Sequence, residues 1–469
     1  MMAAERKERG TGMGCRCRLA EVMQALSVKP DNGFKVRLTE QVSGITTDSR
    51  MVQPGNIFVA LQGDRFDGHA FVETALKQGA IAAVVSDRSR ASAELPMIQV
   101  ADTLEAYQML GRWWRDRFPH PVVAITGSVG KTTTKELIAA VLGTQGPVLK
   151  TQANFNNEIG VPKTLLELEP EHHQFAVIEM GMRAAGEIAL LSRVARPEVA
   201  VITNVGTAHI GRLGSEAAIA QAKCELLAEM HDVGTAVLNF DNDRLMATAK
   251  EVWQGESLTY GLEGGDVRGE LLDATTLRVD GMTFELPLPG RHNAQNFLAA
   301  LAVAKVVGVD WAEVQSGLQV ALPSGRAQRH LLSNDVVILD ETYNAGLESM
   351  LAALRLLVDL PGARRIAVLG TMKELGERSP AFHHQVGVAV RELGIDYLLV
   401  LADPAEEAAL LEGAAPIPTV AFADQPSLVA HLMELIQPGD RLLFKASRAV
   451  ALDQVVAQVM QQLAPTASA

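Results

Sequence analysis

Residues 122–132 read Val-Val-Ala-Ile-Thr-Gly-Ser-Val-Gly-Lys-Thr, a short apolar run followed by a glycine-containing turn and the start of a helical segment. Glycine lets the backbone amides of such a turn face a phosphate, and the N-terminus of the following helix adds partial positive charge. In loops of this kind a lysine reaches the terminal phosphates and a threonine hydroxyl binds magnesium. The stretch therefore predicts a magnesium-ATP site formed by Thr126, Gly127, Ser128, Val129, Gly130, Lys131, Thr132 and Thr133.

This loop is atypical, because the standard motif G-x-x-x-x-G-K-[ST] begins with glycine where this chain has Ile125. The alternative interpretation is a glycine-rich turn that merely starts a helix. The order of apolar run, Gly-Lys-Thr and helical segment favours nucleotide binding. By itself the loop does not distinguish a ligase from a kinase, a motor or a transporter.

Outward from the loop, short apolar runs alternate with helical segments, at 175–179, 199–203 and 235–239 and again after Pro323-Ser324-Gly325. Such alternation predicts βαβ units and parallel sheets covered on both faces. A chain of 469 residues is too long for one hydrophobic core. We expect an α/β protein with a disordered tail (1–18), a small α/β N-terminal domain (19–118), a central P-loop ATPase domain with a mainly parallel sheet (119–323) and a C-terminal Rossmann-like doubly wound domain (324–469).

The composition excludes several classes of protein. A net charge of −13 disfavours a nucleic-acid-binding protein, although a few cations can still bind a small polyanion. No window has the roughly 18 uncharged apolar residues of a membrane span. The N-terminus has no apolar core of a signal peptide, and three cysteines suit a reducing compartment. We therefore expect a cytoplasmic protein, and a monomer.

Polar residues follow two of the predicted strands. Glu179 ends the run 175–179, and Asn204 and His209 follow the run 199–203. Ligands bind at the carboxyl ends of parallel strands, and magnesium prefers carboxylate oxygen, so Glu179 is a candidate ligand. Taken alone, His209 is better explained as a packed or capping histidine. Lys223 lies in an Ala-rich helical segment (216–230), where a lysine is usually solvated.

Further motifs lie on both sides of the loop. The N-terminal part has Thr-Asp-Ser-Arg (47–50) and Gly-Asp-Arg-Phe-Asp-Gly-His (63–69), and Thr-Gln-Ala-Asn-Phe-Asn-Asn-Glu-Ile-Gly-Val-Pro spans 151–162. From about Leu19 onward the chain resembles the Mur ligase family, and 151–162 resembles its D-alanyl-D-alanine-adding branch. The Asp-Asn/Asp-Pro-Arg motif of the diaminopimelate-adding branch is absent. The resemblance implies UDP-muramoyl-tripeptide and D-alanyl-D-alanine as substrates, peptide-bond formation through an acyl phosphate, and a role in peptidoglycan synthesis.

The resemblance also assigns roles to single residues. It implies that Lys131 and Thr132 bind the ATP phosphates and magnesium, that Glu179 and His209 hold metal ions, and that Lys223 is carbamylated to become a further metal ligand. Lys131, Lys223 and His209 would thus be the catalytic group. The remaining implied contacts are adenine at Asn296, phosphate at Arg326, the ATP ribose at Asp340, the UDP part of the substrate at Ser49 and Arg50, and the peptide substrates at Asn154, Phe155, Asn156, Asn157, Tyr343 and Asn344.

The C-terminal part departs from the family pattern. Glu341, Gly346-Leu347, Thr371 and Ala446 stand where the family commonly has Asp, Asn-Pro, Asp and Gly. Three alternatives stay open beside the main interpretation. They are another amide ligase of the same architecture, such as a diaminopimelate- or lysine-adding ligase or a folylpolyglutamate synthase, a P-loop ATPase switch, and a non-catalytic binding protein.

Overall fold

The computed structural model describes residues 14–30, 37–63, 66–87, 95–231, 233–315 and 317–463. They form three α/β domains, each around its own main sheet, as predicted. The N-terminal domain has a four-stranded parallel sheet in the order β3-β4-β7-β8. Its elements are β1 (Cys17–Arg18), α1 (Leu19–Ala25), β2 (Gln41–Val42), β3 (Ile45–Thr46), β4 (Ile57–Val59), β5 (Gln62–Gly63), β6 (Phe66–Asp67), α2 (Val72–Lys77), β7 (Ala82–Val85), β8 (Met97–Gln99) and α3 (Thr103–Arg115).

The predicted tail over residues 1–18 is wrong for its last part. Strand β1 pairs antiparallel with β2, and the side chain of Cys15 is fully buried. The Cys15 amide also donates to the carbonyl of Leu166, 2.8 Å away. Residues 14–18 therefore belong to the fold, because they cover apolar surface next to the central domain. Residues 1–13, and Asp64 and Arg65 of the 63–69 motif, lie outside the described residues.

The central domain has a nine-stranded sheet in the order β10-β11-β9-β12-β13-β14-β15-β16-β17. It is parallel from β10 to β15, and β16 and β17 extend it antiparallel. Its elements are β9 (Val122–Thr126), α4 (Lys131–Leu142), β10 (Val148–Lys150), α5 (Gly160–Leu166), β11 (Phe175–Glu179), α6 (Glu187–Ala195), β12 (Val199–Ile202), α7 (Ile210–Leu213), α8 (Glu216–Ala228), β13 (Thr235–Asn239), α9 (Asp243–Val252), β14 (Glu256–Gly261), β15 (Val267–Asp273), β16 (Thr276–Val279), β17 (Met282–Glu285) and α10 (Arg291–Val307).

The C-terminal domain has a six-stranded sheet in the order β18-β19-β23-β20-β21-β22, in which only the edge strand β18 is antiparallel. Helices connect the parallel strands, as in a doubly wound fold. Its elements are β18 (Gln328–Leu331), β19 (Val337–Asp340), α11 (Leu347–Asp359), β20 (Arg364–Gly370), α12 (Ser379–Glu392), β21 (Tyr397–Leu401), α13 (Pro404–Ala414), β22 (Thr419–Ala421), α14 (Gln425–Leu435), β23 (Asp440–Lys445) and α15 (Leu452–Leu463).

The order of the central sheet determines where the polar strand ends meet. Strands β11, β9 and β12 are neighbours, and every residue of β9 and β11 is buried, because helices cover both faces of the sheet. The carboxyl ends of these three strands therefore bring Thr126, Glu179 and Thr203 to one edge of the sheet. No helix among the described residues combines the length and hydrophobicity that crossing a membrane requires.

Candidate active site

Two glycines allow the phosphate loop to adopt its conformation between β9 and α4. Gly127 has φ +154°, and a Cβ atom there would lie 1.9 Å from Thr203 Oγ1. Gly130 has φ +83°, and its Cβ would lie 2.6 Å from Asn296 Oδ1. Ile125, in the position of the missing first glycine, is a fully buried residue of β9. The tight turn therefore begins only at Thr126.

The end of β12 holds this loop in place. Asn204 Oδ1 accepts hydrogen bonds from the amides of Ser128 (3.1 Å) and Val129 (3.0 Å). Thr203 Oγ1 donates to the carbonyl of Val129 at 2.6 Å. Lys131 Nζ donates to the carbonyl of Gly127 at 2.7 Å. Desolvation and the nearby Arg326 guanidinium lower the pKa of Lys131, whereas Glu179 opposes this shift.

Glu179 connects the phosphate loop with the Asn-rich segment 154–157. Its Oε2 accepts from Thr132 Oγ1 at 2.9 Å, and its Oε1 accepts from Asn156 Nδ2 at 2.8 Å. The adjacent carboxylate and hydroxyl oxygens are the ligand type that magnesium prefers, usually together with phosphate oxygens of the substrate. Consistently, the described residues contain no group of three His, Cys, Asp or Glu side chains that would hold a metal on its own.

Lys135 is a buried cation that the sequence analysis missed. Its Nζ donates to the carbonyl of Thr151 at 2.7 Å and lies 3.1 Å from Glu136 Oε1 and 3.7 Å from Glu179 Oε2. Lys150 forms an ion pair with Glu136 as well. Lys135 is one helical turn beyond Lys131 on α4, so the i, i+4 spacing was a signal that both point toward the same strand ends.

Lys223 on α8 is 1% exposed, so the expectation of a solvated helix lysine is wrong. Among the described residues its ammonium has no hydrogen bond or ion pair. Desolvation, with Lys131 acting in the same direction, holds the pKa of Lys223 well below its usual range. Such a shift increases the neutral fraction of the amine at a given pH, and the neutral amine is the nucleophilic form.

His209 precedes α7 with a left-handed backbone (φ +66°) and makes no capping hydrogen bond through its side chain. Its Nδ1 lies 2.6 Å from Glu374 Oε2 of the C-terminal domain. Desolvation lowers the pKa of His209. The Glu374 carboxylate opposes this shift, whereas the charges of Lys131 and Lys223 add to it. His209 thus lies between the buried lysines of the central domain and a carboxylate of the C-terminal domain.

A cleft of about 600 Å³ lies between the domains and is lined by Asn154, Arg326, Asp340 and Tyr343, among others. The Arg326 guanidinium lies 3.9 Å from the centre of the Tyr343 ring, and its buried Nε has no hydrogen-bond partner among the described residues. Asp340 Oδ1 accepts from Thr342 Oγ1 at 2.6 Å. The cleft therefore brings together a free guanidinium nitrogen, a carboxylate and an aromatic ring.

The other predicted nucleotide and substrate residues do not line this cleft, and each has its own local contacts. Asn296 Oδ1 accepts from Thr134 Oγ1 at 3.2 Å, next to Gly130. Asn157 Oδ1 accepts from the amide of Gly160, the first residue of α5, at 2.9 Å, and Phe155 lies 36% exposed. The carbonyl of Asn344 accepts from Lys445 Nζ at 3.1 Å. Thr133 is the third residue of α4.

Ser49 and Arg50 are not brought into this group. They lie in a short 3-10 turn of the N-terminal domain, and the Arg50 guanidinium pairs with Asp48 at 2.7 Å. No hydrogen bond or ion pair connects either residue with the phosphate loop or the cleft in the described part of the chain. Their assignment to the UDP part of the substrate stays a prediction.

The residues that depart from the family pattern have structural partners. Glu341 Oε1 accepts from the amide of Ala327 at 3.1 Å, and its Oε2 lies 3.5 Å from Lys445 Nζ. The Thr371 hydroxyl accepts from the amide of Asp403 at 2.8 Å. Ala446 is fully buried against Gly370. The Gly346 amide donates to Ser349 Oγ at 3.1 Å. These substitutions are therefore accommodated without leaving buried polar groups unpaired.

Comparison with known proteins covers all three domains. Residues 41–114 match the Mur ligase family catalytic domain, 125–304 the Mur ligase middle domain, and 325–448 the Mur ligase glutamate ligase domain. The chain is 56% identical over 424 residues to UDP-N-acetylmuramoyl-tripeptide–D-alanyl-D-alanine ligase of Synechocystis sp. (90% of this chain, 93% of that protein) and 38% identical to the enzyme of the same name from Escherichia coli (88% and 93%).

Solved structures agree with these relatives. A crystal structure of MurF from Acinetobacter baumannii superimposes with a TM-score of 0.86 at 33% identity, covering 96% of this chain and all of that one. The MurF ligase from Thermotoga maritima in complex with ADP gives a TM-score of 0.80 at 31% identity, covering 90% and 97%. On these grounds the chain belongs to the Mur ligase family.

Proposed function

We propose that this chain is the ATP-dependent ligase that joins D-alanyl-D-alanine to UDP-N-acetylmuramoyl-tripeptide, a step of peptidoglycan precursor synthesis. The observation that carries the proposal is the hydrogen-bonded link from Thr132 through Glu179 to Asn156. This link places the phosphate loop next to the Asn-rich segment that resembles the D-alanyl-D-alanine-adding branch. A phosphate-transfer site and a peptide-binding segment therefore share one carboxylate.

The chemistry follows from the substrates. A peptide carboxylate resists attack by an amine, because its carbonyl is electron-rich and oxide is a poor leaving group. Attack of the carboxylate oxygen on the γ-phosphorus of ATP forms an acyl phosphate and releases ADP. The amine of D-alanyl-D-alanine then forms the C–N bond through a tetrahedral intermediate, and phosphate leaves while the amine loses a proton.

Phosphoryl transfer needs mainly positioning and charge neutralisation. In this proposal Lys131 and Arg326 neutralise the transferring phosphate, and the loop amides that follow Val129 orient it. Thr132 and Glu179 would hold Mg²⁺, with His209 nearby, and the ion would supply further neutralisation of phosphate charge. Asn296 would contact adenine, because it lies against Gly130 of the phosphate loop, and Asp340 would contact the ribose, because it lines the interdomain cleft.

We also propose that Lys223 is carbamylated. A neutral amine adds to the carbon of CO₂, forming an N–C bond and releasing one proton, so that the buried amine becomes an anion with two oxygen atoms. The burial of Lys223, its lowered pKa and its lack of a partner among the described residues support this step. The carbamate would also relieve the repulsion between Lys223 and Lys131.

The remaining assignments are proposals of the same kind. The domains over 19–118, 119–323 and 324–469 would hold UDP, ATP and the incoming amine, with Ser49 and Arg50 in the first and Tyr343 and Asn344 in the third. Asn154, Phe155 and Asn157 would contact the peptide. We propose that the enzyme acts in the cytoplasm as a monomer and binds no nucleic acid; size-exclusion chromatography with light scattering would test the oligomeric state.

Mass spectrometry of the reaction products tests the proposal against other Mur-type ligases. The enzyme is incubated with ATP, Mg²⁺ and either UDP-muramoyl-tripeptide or UDP-muramoyl-dipeptide. The amine is D-alanyl-D-alanine, L-alanyl-L-alanine or diaminopimelate. We expect the UDP-muramoyl-pentapeptide with D-alanyl-D-alanine alone. A product that contains diaminopimelate, formed from the UDP-muramoyl-dipeptide, would instead identify the diaminopimelate-adding activity.

A further inference from the structure

Glu348, in the first turn of α11, reaches from the C-terminal domain to the central domain. Its Oε1 accepts from the amide of Thr207 at 2.6 Å, and its Oε2 accepts from Thr207 Oγ1 at 3.3 Å. A Cβ atom on Gly206 would lie 2.4 Å from Glu348 Oε1, so the approach requires glycine there. The Glu348 carboxylate therefore binds the backbone amide of Thr207, whose position is fixed by the fold, and not the end of a surface side chain.

Glu374 makes a second contact with the same segment of the central domain. Its Oε2 lies 2.6 Å from His209 Nδ1 and its Oε1 lies 3.4 Å from Arg212 Nη2. The carbonyl of Glu374 accepts from the amide of Gly211 at 3.1 Å. Glu374 itself has φ +67°, a conformation that is strained for a residue with a side chain. The contacts that the side chain and the carbonyl of Glu374 make with the central domain offset this strain.

Segment 206–212, which receives both carboxylates, is part of the ATP site. The amide of Gly206 donates to Ser128 Oγ of the phosphate loop at 2.9 Å. His209, in the same segment, is the proposed metal-binding histidine. Glu374 places a carboxylate beside this imidazole, and carboxylates in such positions orient metal-binding histidines.

We infer that Glu348 and Glu374 form a carboxylate clamp that docks the C-terminal domain on segment 206–212 and thereby positions the phosphate loop and His209 for the reaction. The inference rests on the proposed ligase function. Both are positioning residues, because they act through Thr207 and His209 and not on the substrates. The ATP site is thus complete only when the domain that receives the amine is docked, which would couple ATP use to ligation.

The test uses the full-length enzyme with Glu348→Ala, Glu348→Gln, Glu374→Ala and Glu374→Gln. Glu377→Gln is the matched control, because Glu377 is exposed on the same surface loop. Spin labels on Lys250→Cys and Glu392→Cys, both exposed, report the distance between the two domains, and the three native cysteines are buried. Turnover, ATP affinity and thermal unfolding are measured for each variant.

We expect each alanine variant to lower kcat about tenfold or more, because a charge-assisted contact is lost, with a smaller effect on ATP affinity. The label distance should broaden toward longer values. The glutamine variants should be intermediate, because the amide oxygen still accepts a hydrogen bond, and the control should match the wild type. Wild-type turnover and distance in the alanine variants would overturn the clamp.

Three further outcomes are decided by the same data. If an alanine variant unfolds, its glutamine counterpart supplies the comparison. If the wild type makes no pentapeptide, the proposed function fails, and the label distance alone decides whether the two carboxylates dock the domains. A loss of kcat with an unchanged distance distribution would also overturn the clamp.

Discussion

The two faces of the cleft differ in how their polar residues are held. On the central face, Lys131, Thr132 and Glu179 bond to partners within the same domain at the ends of β9 and β11. On the C-terminal face, Glu348 and Glu374 take their partners from the other domain. The central face is therefore preorganised for ATP, whereas the C-terminal face completes its geometry only by docking. Preorganised charges contribute most to catalysis, so substitutions on the central face should be the more costly.

Lys131→Ala should have the largest effect, because it removes the cation closest to the phosphate loop. We expect turnover to fall by about 10³-fold, the order found for the loss of a preorganised charge. Steady-state phosphate release measures it, with the exposed Lys250→Ala as the control. A near-normal rate would remove Lys131 from the mechanism and the central face from its leading role.

Lys223→Ala tests whether the second buried lysine of the central face acts as a carbamate. We expect a loss of about 10²-fold, of the order seen when groups that hold a metal are removed, and partial rescue by added acetate or formate. Burial holds the pKa of Lys223 well below its usual range, so the neutral amine is more abundant at a given pH and becomes protonated as the pH falls through that pKa.

Activity on the acid side should therefore depend on bicarbonate. The ammonium form of Lys223 cannot add to CO₂, so less carbamate forms as the pH falls. Removal of CO₂ should lower the wild-type rate because the carbamate is lost, and bicarbonate should restore the rate. Measurement of the rate against pH at two bicarbonate concentrations checks this. An alanine variant with full activity, or a rate that is independent of bicarbonate, would argue against the carbamate.

A comparison of Lys135→Met with Lys150→Met separates the roles of the two lysines that pair with Glu136. Only Lys135 also reaches Glu179, at 3.7 Å. We expect Lys135→Met to raise the Mg²⁺ concentration for half-maximal activity about tenfold, because Glu179 loses a neighbour that orients it. Lys150→Met should leave this value unchanged. Binding of Mn²⁺ followed by electron paramagnetic resonance gives a readout that does not depend on turnover; equal behaviour of both variants would contradict the role of Lys135.

Thr371→Asp, on the C-terminal face, should have the smallest effect. It introduces the residue common in the family at the end of β20, where the Thr371 hydroxyl accepts from the Asp403 amide. A carboxylate can accept the same bond, so we expect kcat and the unfolding temperature to change little, kcat by less than about threefold. A large gain in kcat would show that this departure limits the enzyme.

The sequence predicted the parallel core of the fold more reliably than its edges. Strands β11 and β13 begin and end as predicted, because buried parallel strands read as unbroken apolar runs. The extension by β15, β16 and β17 was missed, since their buried and exposed residues alternate over short stretches. Burial of residues 14–18 depends on a partner strand at Gln41–Val42, which no local pattern reveals.

For the site, local motifs revealed the loop and Glu179, whereas the interdomain contacts were not predictable. Lys135 shares a helix face with Lys131, so its place could have been inferred from spacing. Glu348 and Glu374 act through contacts with residues more than 100 positions away, and sequence spacing carries no information about such pairs. Lys223 looked like a solvated lysine because its burial depends on tertiary contacts of its helix, which the local sequence does not reveal.

In the proposed mechanism, one site uses ATP to form a bond between two substrates. Phosphate release from Mg²⁺-ATP, measured with each combination of UDP-muramoyl-tripeptide and D-alanyl-D-alanine, tests this claim most directly. We predict that release requires both substrates and yields one phosphate per pentapeptide formed. Sustained release with neither substrate would contradict the account and would identify the chain as an ATPase switch.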